Sequence, residues 1–455
     1  MDESTRPLAD RFRRELDALG VRGTGAHVVV ALSGGMDSVA LLHLLRFAVE
    51  DDGLALTAAH FDHGMRAGSA ADAHWVAGLC RAWGVPLRTA RAGHPPRTEA
   101  EARDARYAFL RGIQAEAGAT HLATAHHADD QAETVLFRVL RGTGVRGLAG
   151  IPPADGTGLV RPLLPFWRDE LRAYARAAGL RWRPDPTNRM LEPSRNRLRH
   201  RVLPQAERVA PGARRALVRL AALAREDEAA WEAVLAPLVA ESAREENGAL
   251  LLVRDRFAAY DWPVAARVLR LLLRRLGAAP DRAGTRLALE FISNASSGRT
   301  LRLAGGVRIT TEFGTARVER GPGPEPPPPD APLLIPAVPG EGGLALGGAR
   351  FAARWTAGVD APADARWTLR VSADPARFPL LLRGWLPGDR IRTHAGTRTL
   401  KKLLGEARVP LRARLAVPVL ADAHGTVLWV AGVAAAADAG PRPGEPAITL
   451  SIYDA

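Results

Sequence analysis

The chain has 455 residues, nearly half of them apolar and about a quarter charged, with a formal net charge of +13 and a single cysteine. That length exceeds one ordinary core and calls for two or three domains. One cysteine excludes an intrachain disulfide and a cysteine-rich metal site, no apolar run reaches the roughly 18 residues that span a bilayer, and so basic a surface suits a polyanion such as nucleic acid.

The first 20 residues, MDESTRPLADRFRRELDALG, are charged and amphipathic and read as a helix, not a signal peptide; a cytoplasmic protein is expected. From 26 to 140, strand and helix patterns alternate. HVVVAL (27–32), LALTAAH (54–60), VPLRTA (85–90) and THLATAH (120–126) are short β-like runs, separated by helical patterns at 37–48, 70–83, 98–117 and 129–140. Repeated units of this length predict an α/β domain, a doubly wound parallel sheet covered by helices on both faces.

Residues 212–246 carry a long helical pattern with Leu217, Leu220, Leu223, Trp231, Val234 and Leu235 on its apolar side. A second helix, DWPVAARVLRLLLRRLG (261–277), begins at an Asp261 cap with Pro263 in its first turn and ends at Gly277. These predict a mostly helical middle domain with a strand-like tail near 300–318. GPGPEPPPPD (321–330) reads as a stiff linker, and 340–455 as a small α+β unit of short strands, turns and a helix near 397–405. The expected boundaries are 1–210, 211–320, a linker at 321–340, and 341–455.

In VVVALSGGMDSVALLHLL (28–45) a buried strand stops at Ser33-Gly34-Gly35, and Asp37-Ser38 opens a helix. Such a junction aims free N–H groups and the helix dipole outward, which suits a phosphate. It is not the G-x-x-x-x-G-K-[ST] loop, since the first domain has no lysine, nor the dinucleotide G-x-G-x-x-G. The glycines let backbone approach a pyrophosphate, the two serines add donors, and Asp37 can hold magnesium.

Three more segments fall after predicted strands: HFDHGMR (60–66), EAEARDARY (99–107) and TAHHADDQAET (124–134). In open α/β sheets that edge is where ligands bind, so these groups should converge with the glycine turn. Asp130 and Glu133, three apart on a helix, share a face, whereas Asp129 points elsewhere. Arg103 and Arg106 read equally well as surface arginines paired with Glu99 and Glu101. The chain's only lysines, Lys401 and Lys402, sit together near Arg390, Arg408 and Arg414, a pattern suited to tracking phosphates.

Together these segments closely resemble the tRNA(Ile)-lysidine synthetases, which belong to the N-type ATP pyrophosphatases (PP-loop, adenine nucleotide alpha hydrolase-like). The likeness continues through RPLL (161–164), DPTN and RNRLRHRVLP (185–204), GDRI (388–391), TLKKLLGEARVPLRAR (399–414) and VPVL (417–420). It implies ATP- and Mg2+-dependent joining of L-lysine to the wobble cytidine of tRNA(Ile) with a CAU anticodon, through an adenylated tRNA, and it raises a homodimer as an oligomeric state. By carry-over, Ser33, Gly34, Gly35, Met36, Asp37 and Ser38 bind the nucleotide, and Asp37 also the metal. Asp62 and Arg103 lie near the reacting base, His126, Asp130 and Glu133 near the lysine, and Arg195 completes the crevice; Lys401, Lys402, Arg390, Arg408 and Arg414 meet tRNA. A tRNA thiolation enzyme would need sulfur-carrying cysteines beyond Cys80, and an amidotransferase a glutaminase nucleophile; an RNA-binding protein with a merely structural nucleotide site is the reading from another class.

Overall fold

The computed structural model describes residues 3–21, 25–49, 53–64, 69–183, 194–321, 331–357, 362–411 and 413–455, in two compact units, Met1–Ala233 and Val234–Ala455. In the first unit the strands β1 (His27–Ala31), β2 (Ala55–Asp62), β3 (Leu87–Arg91), β4 (His121–Ala123) and β5 (Leu159–Val160) form one parallel sheet in the order β3-β2-β1-β4-β5. The order reverses between β1 and β4, so a crevice opens at their carboxyl ends. The two-residue β5 has no periodicity to read, and the sequence pattern did not reveal it.

Alternation along β1 sends its valines to opposite sides. Val28 and Val30 meet Phe12 and Leu16 of α1 (Arg6–Ala18), Leu41 of α2 (Met36–His43) and Val76 of α3 (Ser69–Ala82). Val29 meets Leu110 and Ile113 of α4 (Glu99–Glu116), with Leu122 and Leu159. Each such fully buried Val or Leu contributes about 1.5–3 kcal/mol. Both faces are thus covered, as the apolar strand runs require. After α2 the chain widens into a π turn over Leu44–Ala48, where one continuous helix was expected. Cys80 packs in the same core, and burial pushes its thiol up to about 11.

Beyond β4 come α5 (Ala128–Leu140), α6 (Val145–Leu148), α7 (Arg168–Ala177), α8 (Ser194–Arg197), α9 (Leu203–Val209) and α10 (Ala213–Ser242). The apolar side expected of α10 needs correction. Leu220, Leu223, Trp231 and Val234 are exposed, and its buried positions include Ala221, Ala224, Leu235 and Val239. The packed face takes small residues that admit close approach, so side-chain size misreads it.

The second unit continues with β6 (Ala243–Glu246), β7 (Ala249–Val253), α11 (Arg254–Ala259), α12 (Trp262–Arg275), α13 (Arg282–Asn294), β8 (Thr300–Leu303), β9 (Val307–Glu312) and β10 (Thr315–Arg320). The expected helices and strand-like tail are present, and the sheet, in the order β6-β7-β10-β9-β8, gains two strands. AREE lacks the alternation that would separate β6 from the helix before it. Leu269, Leu272 and Ile292 pack on Ile309 and Val318 of this sheet. Of the expected linker at 321–340, residues 322–330 lie outside the described residues, and the rest already carries a strand at Leu333–Ile335. From Leu333 onward a seven-stranded and a four-stranded sheet share a core with Trp355, Leu382, Val430 and Ile452, and α14 (Leu400–Glu406) carries the lysine pair. Among the described residues no helix is long and apolar enough to cross a membrane.

Candidate active site

The Ser33–Ser38 turn leaves the end of β1 and enters α2 with Gly35 as cap. Gly34 takes φ +85°, and a Cβ there would stand 3.2 Å from Val76 Cγ2. Ser38 Oγ accepts from Ser33 N (3.2 Å) and donates to Gly35 O (2.9 Å), and Gly35 N donates to Ser33 Oγ (3.3 Å). Ser38 therefore shapes the turn, while Ser33 is exposed at its mouth. Met36 buries its side chain in the core, leaving backbone at the helix start, where N–H groups lack intrahelical partners.

On the neighbouring strand, β4 ends at Ala123 and the segment from Thr124 leads into α5. The two adjacent histidines diverge. His127 is buried, its Nε2 standing 3.9 Å from Asp37 Oδ2 and 3.5 Å from Asp130 Oδ2. Its backbone N donates to Asp130 Oδ2 (3.1 Å). His126 instead lies 2.9 Å from Thr124 Oγ1 through Nδ1, and burial pulls it down to about 4, the cations Arg161, Arg106 and Arg103 acting with burial and Asp130 against it. His126 is accordingly neutral near pH 7.

Asp37, Asp130 and Glu133 gather in this crevice, as the sequence spacing predicts. Burial raises the carboxyl of Asp37, opposed by His127 and Arg168. Its Oδ1 is buried without a hydrogen bond. Burial likewise raises Glu133, opposed by Arg199. Asp129 accepts from Arg168 N (2.9 Å) and Arg214 Nη1 (3.0 Å), yet its Oδ2 also stands 3.7 Å from Nδ1 of His127, closer to the crevice than the helix period predicts.

Two participants were missed. Arg199, in the turn after α8, donates through Nε to Glu133 Oε1 (2.5 Å) and through Nη2 to Asp130 Oδ1 (3.0 Å). Arg168 approaches Asp37 Oδ2 to 3.7 Å. Arg199 stands one helical turn after Arg195 in RNRLRHR, a spacing that could have flagged it; Arg168 carries no local signal.

Other expected residues are placed differently. Asp62 is buried at the end of β2 with both oxygens engaged, by Gly64 N (2.8 Å) and Ser69 Oγ (3.0 Å), so it organises the loop that follows. Arg103 is exposed and stacks over Tyr107. The side chain of Arg195 lies outside the described residues. In the second unit Lys401, Lys402, Arg390 and Arg408 are exposed, but Arg414 is buried, its Nε donating to Val409 O (2.9 Å). A side chain so committed cannot join a surface patch.

A family profile described as a PP-loop domain matches residues 8–206, and one described as the TilS substrate C-terminal domain matches 380–452. A tRNA(Ile)-lysidine synthase of Symbiobacterium thermophilum is 36% identical and aligns over 94% of each chain. The chain belongs to the tRNA(Ile)-lysidine synthase family. Two further tRNA(Ile)-lysidine synthases, from Azoarcus sp. (36% identical, 97% of this chain and 94% of that one) and Geobacillus kaustophilus (30%, 98% and 99%), are alike over the same full length. In this synthase family member the PP-loop match takes in the whole parallel sheet and every crevice residue described above.

Proposed function

We propose that the chain joins L-lysine to C2 of the wobble cytidine in a tRNA(Ile) with a CAU anticodon, consuming ATP and releasing AMP and pyrophosphate. The carrying observation is that the Ser33–Ser38 turn and the Thr124–Glu133 segment leave two directly paired parallel strands, β1 and β4, at the point where strand order reverses. A nucleotide-binding turn and an acidic, histidine-bearing wall thereby face one crevice.

The cytosine O2 is a poor leaving group. Its attack on the α-phosphorus of ATP breaks the α–β bond, expels pyrophosphate and leaves AMP on O2. The lysine ε-nitrogen then bonds C2, the C2–O2 bond breaks, and AMP departs with that oxygen. The turn's N–H groups would stabilise charge on the departing pyrophosphate. Asp37 fits magnesium, because its buried Oδ1 has no protein partner and this ion is commonly held by one or two carboxylates and substrate phosphates; bound there, it would neutralise phosphate charge.

Asp130 and Glu133 suit the ammonium of lysine, yet carboxylates near an ammonium raise its pKa above about 10.4. The proton therefore leaves as the nitrogen–carbon bond forms, to Glu133, whose carboxyl burial has raised, or to the AMP phosphate. Arg103, Arg195 and Asp62 are assigned to the nucleotide side, Asp62 through the loop it holds. Residues 1–210 form the catalytic domain in this reading, 211–320 a substrate domain, and 341–455 a tRNA-binding domain with Lys401, Lys402, Arg390 and Arg408 on its surface.

The test is ATP–pyrophosphate exchange with and without tRNA, followed by labelled lysine. Exchange that requires tRNA, with label fixed in the RNA, supports the reading; exchange that lysine alone promotes would refute it.

A further inference from the structure

Outside the carboxylate cluster the crevice holds a second set of charges that the reaction just described leaves unused. Arg161, immediately after β5, is only 5% exposed; its Nη1 donates to Pro152 O (2.7 Å), and its Nε is buried without a partner. Arg106 on α4 also has a buried Nε without a partner. Arg103 and Arg106 lie over the Tyr107 ring, 4.9 and 5.4 Å from its centroid. Burial pulls Arg106 and Arg161 below the usual arginine range, Tyr107 opposing and Arg103 adding to the effect in both.

Among the described side chains none of the three arginines forms an ion pair, and Glu101, one of the partners the sequence left open, accepts instead from Arg97 N (2.8 Å); the side chain of Glu99 lies outside the described residues. Asp155, the carboxylate that Arg161 senses, is itself engaged by Arg111 (3.2 Å) and Thr157 Oγ1 (2.6 Å). Buried guanidiniums with unmet donors are costly unless an anion completes them. The ATP phosphates have their own turn, which leaves an RNA phosphodiester or the carboxylate of the amino acid.

Three features favour the carboxylate. Arg161 is nearly closed from solvent, whereas a phosphodiester arrives flanked by riboses and suits exposed cations such as Lys401 and Lys402. A planar carboxylate matches the guanidinium fork in two-point bonding. His126, bonded to Thr124 Oγ1 (2.9 Å), lies within the electrostatic reach of Asp130 and of all three arginines. A site with a negative and a positive end suits a ligand with both charges.

We propose that Arg106 and Arg161 hold the α-carboxylate of L-lysine and so select the amino acid over a plain diamine. This rests on the proposed lysine transfer. The test compares L-lysine with cadaverine, the same carbon chain and amines without the carboxylate, at saturating ATP and tRNA. The wild-type chain should prefer L-lysine by about 100-fold or more in kcat/KM. Arg106→Gln should cut that preference at least about tenfold through a higher KM for lysine, with Arg106→Lys recovering part of it. Arg161→Gln should move the preference in the same direction.

A preference retained in both glutamine variants overturns the inference, as does a wild-type chain indifferent to the carboxylate. Equal losses with both amines, accompanied by weaker tRNA binding and a shallower salt dependence, would assign the arginines to an RNA phosphate and also overturn it. A wild-type chain that transfers neither amine would instead refute the lysine-transfer reading itself.

Discussion

Gly34 sits where an L side chain is strained, at φ +85° with Val76 Cγ2 3.2 Å from the place of a Cβ. Gly34→Ala should therefore destabilise the first unit by about 1 kcal/mol or more and, by shifting the turn, lower tRNA-dependent pyrophosphate exchange at least about tenfold. Denaturant unfolding and exchange kinetics read the two effects separately; an alanine variant with wild-type exchange would show that the turn does not hold the nucleotide. Arg199 offers a second residue-level test. Its fork ties Glu133 to Asp130 in a half-buried setting, so Arg199→Ala should cost roughly 2–4 kcal/mol by leaving two neighbouring carboxylates uncompensated, and Arg199→Lys should restore less than the full amount. An unchanged urea midpoint in the alanine variant would contradict that. Asp37, Asp130 and Glu133 were legible because their spacing follows the helix period and a glycine turn marks its own position. Arg199, Arg168 and Arg161 were not, because an arginine's partner is decided by which distant carboxylate or carbonyl the fold brings to it.

At the scale of elements, α2 packs on α7 through His43, whose Nδ1 lies 2.7 Å from the Tyr174 hydroxyl. Burial pulls His43 down to about 4 and pushes Tyr174 up. A histidine held neutral in the fold contributes stability that is complete above the unfolded value near 6.5 and is lost as pH falls toward 4. Thermal unfolding should show Tm falling through that window, and His43→Gln should flatten the fall; His126, shifted the same way, keeps some slope in both proteins. Identical profiles would place the acid sensitivity elsewhere. The helix α14 exposes both lysines, so Lys401→Ala with Lys402→Ala should weaken tRNA binding and reduce its log–log salt slope by roughly 1–2. An unaltered slope would return the pair to ordinary surface. The βα alternation was readable because strands and helices differ in period, and α3 to α5 fall close to their predicted bounds, whereas α2 gives way to the π turn at Leu44. The two-residue β5, the polar β6 and the packed face of α10 were not, since none writes a period or a size pattern into its own residues.

At the scale of the whole molecule, the +13 charge, the phosphate-type turn in one unit and the exposed lysine helix in the other describe a chain that handles RNA and nucleotide together. Family membership rests on full-length likeness, and the chemistry assigned to the crevice makes a demand on products. The most direct measurement is product analysis with purified full-length chain, ATP, labelled L-lysine and a tRNA(Ile) bearing CAU. AMP and pyrophosphate should form in equal amounts, matched by lysine fixed in the RNA and abolished by Asp37→Ala. Release of ADP and phosphate, or AMP formed without lysine entering the RNA, would contradict the account.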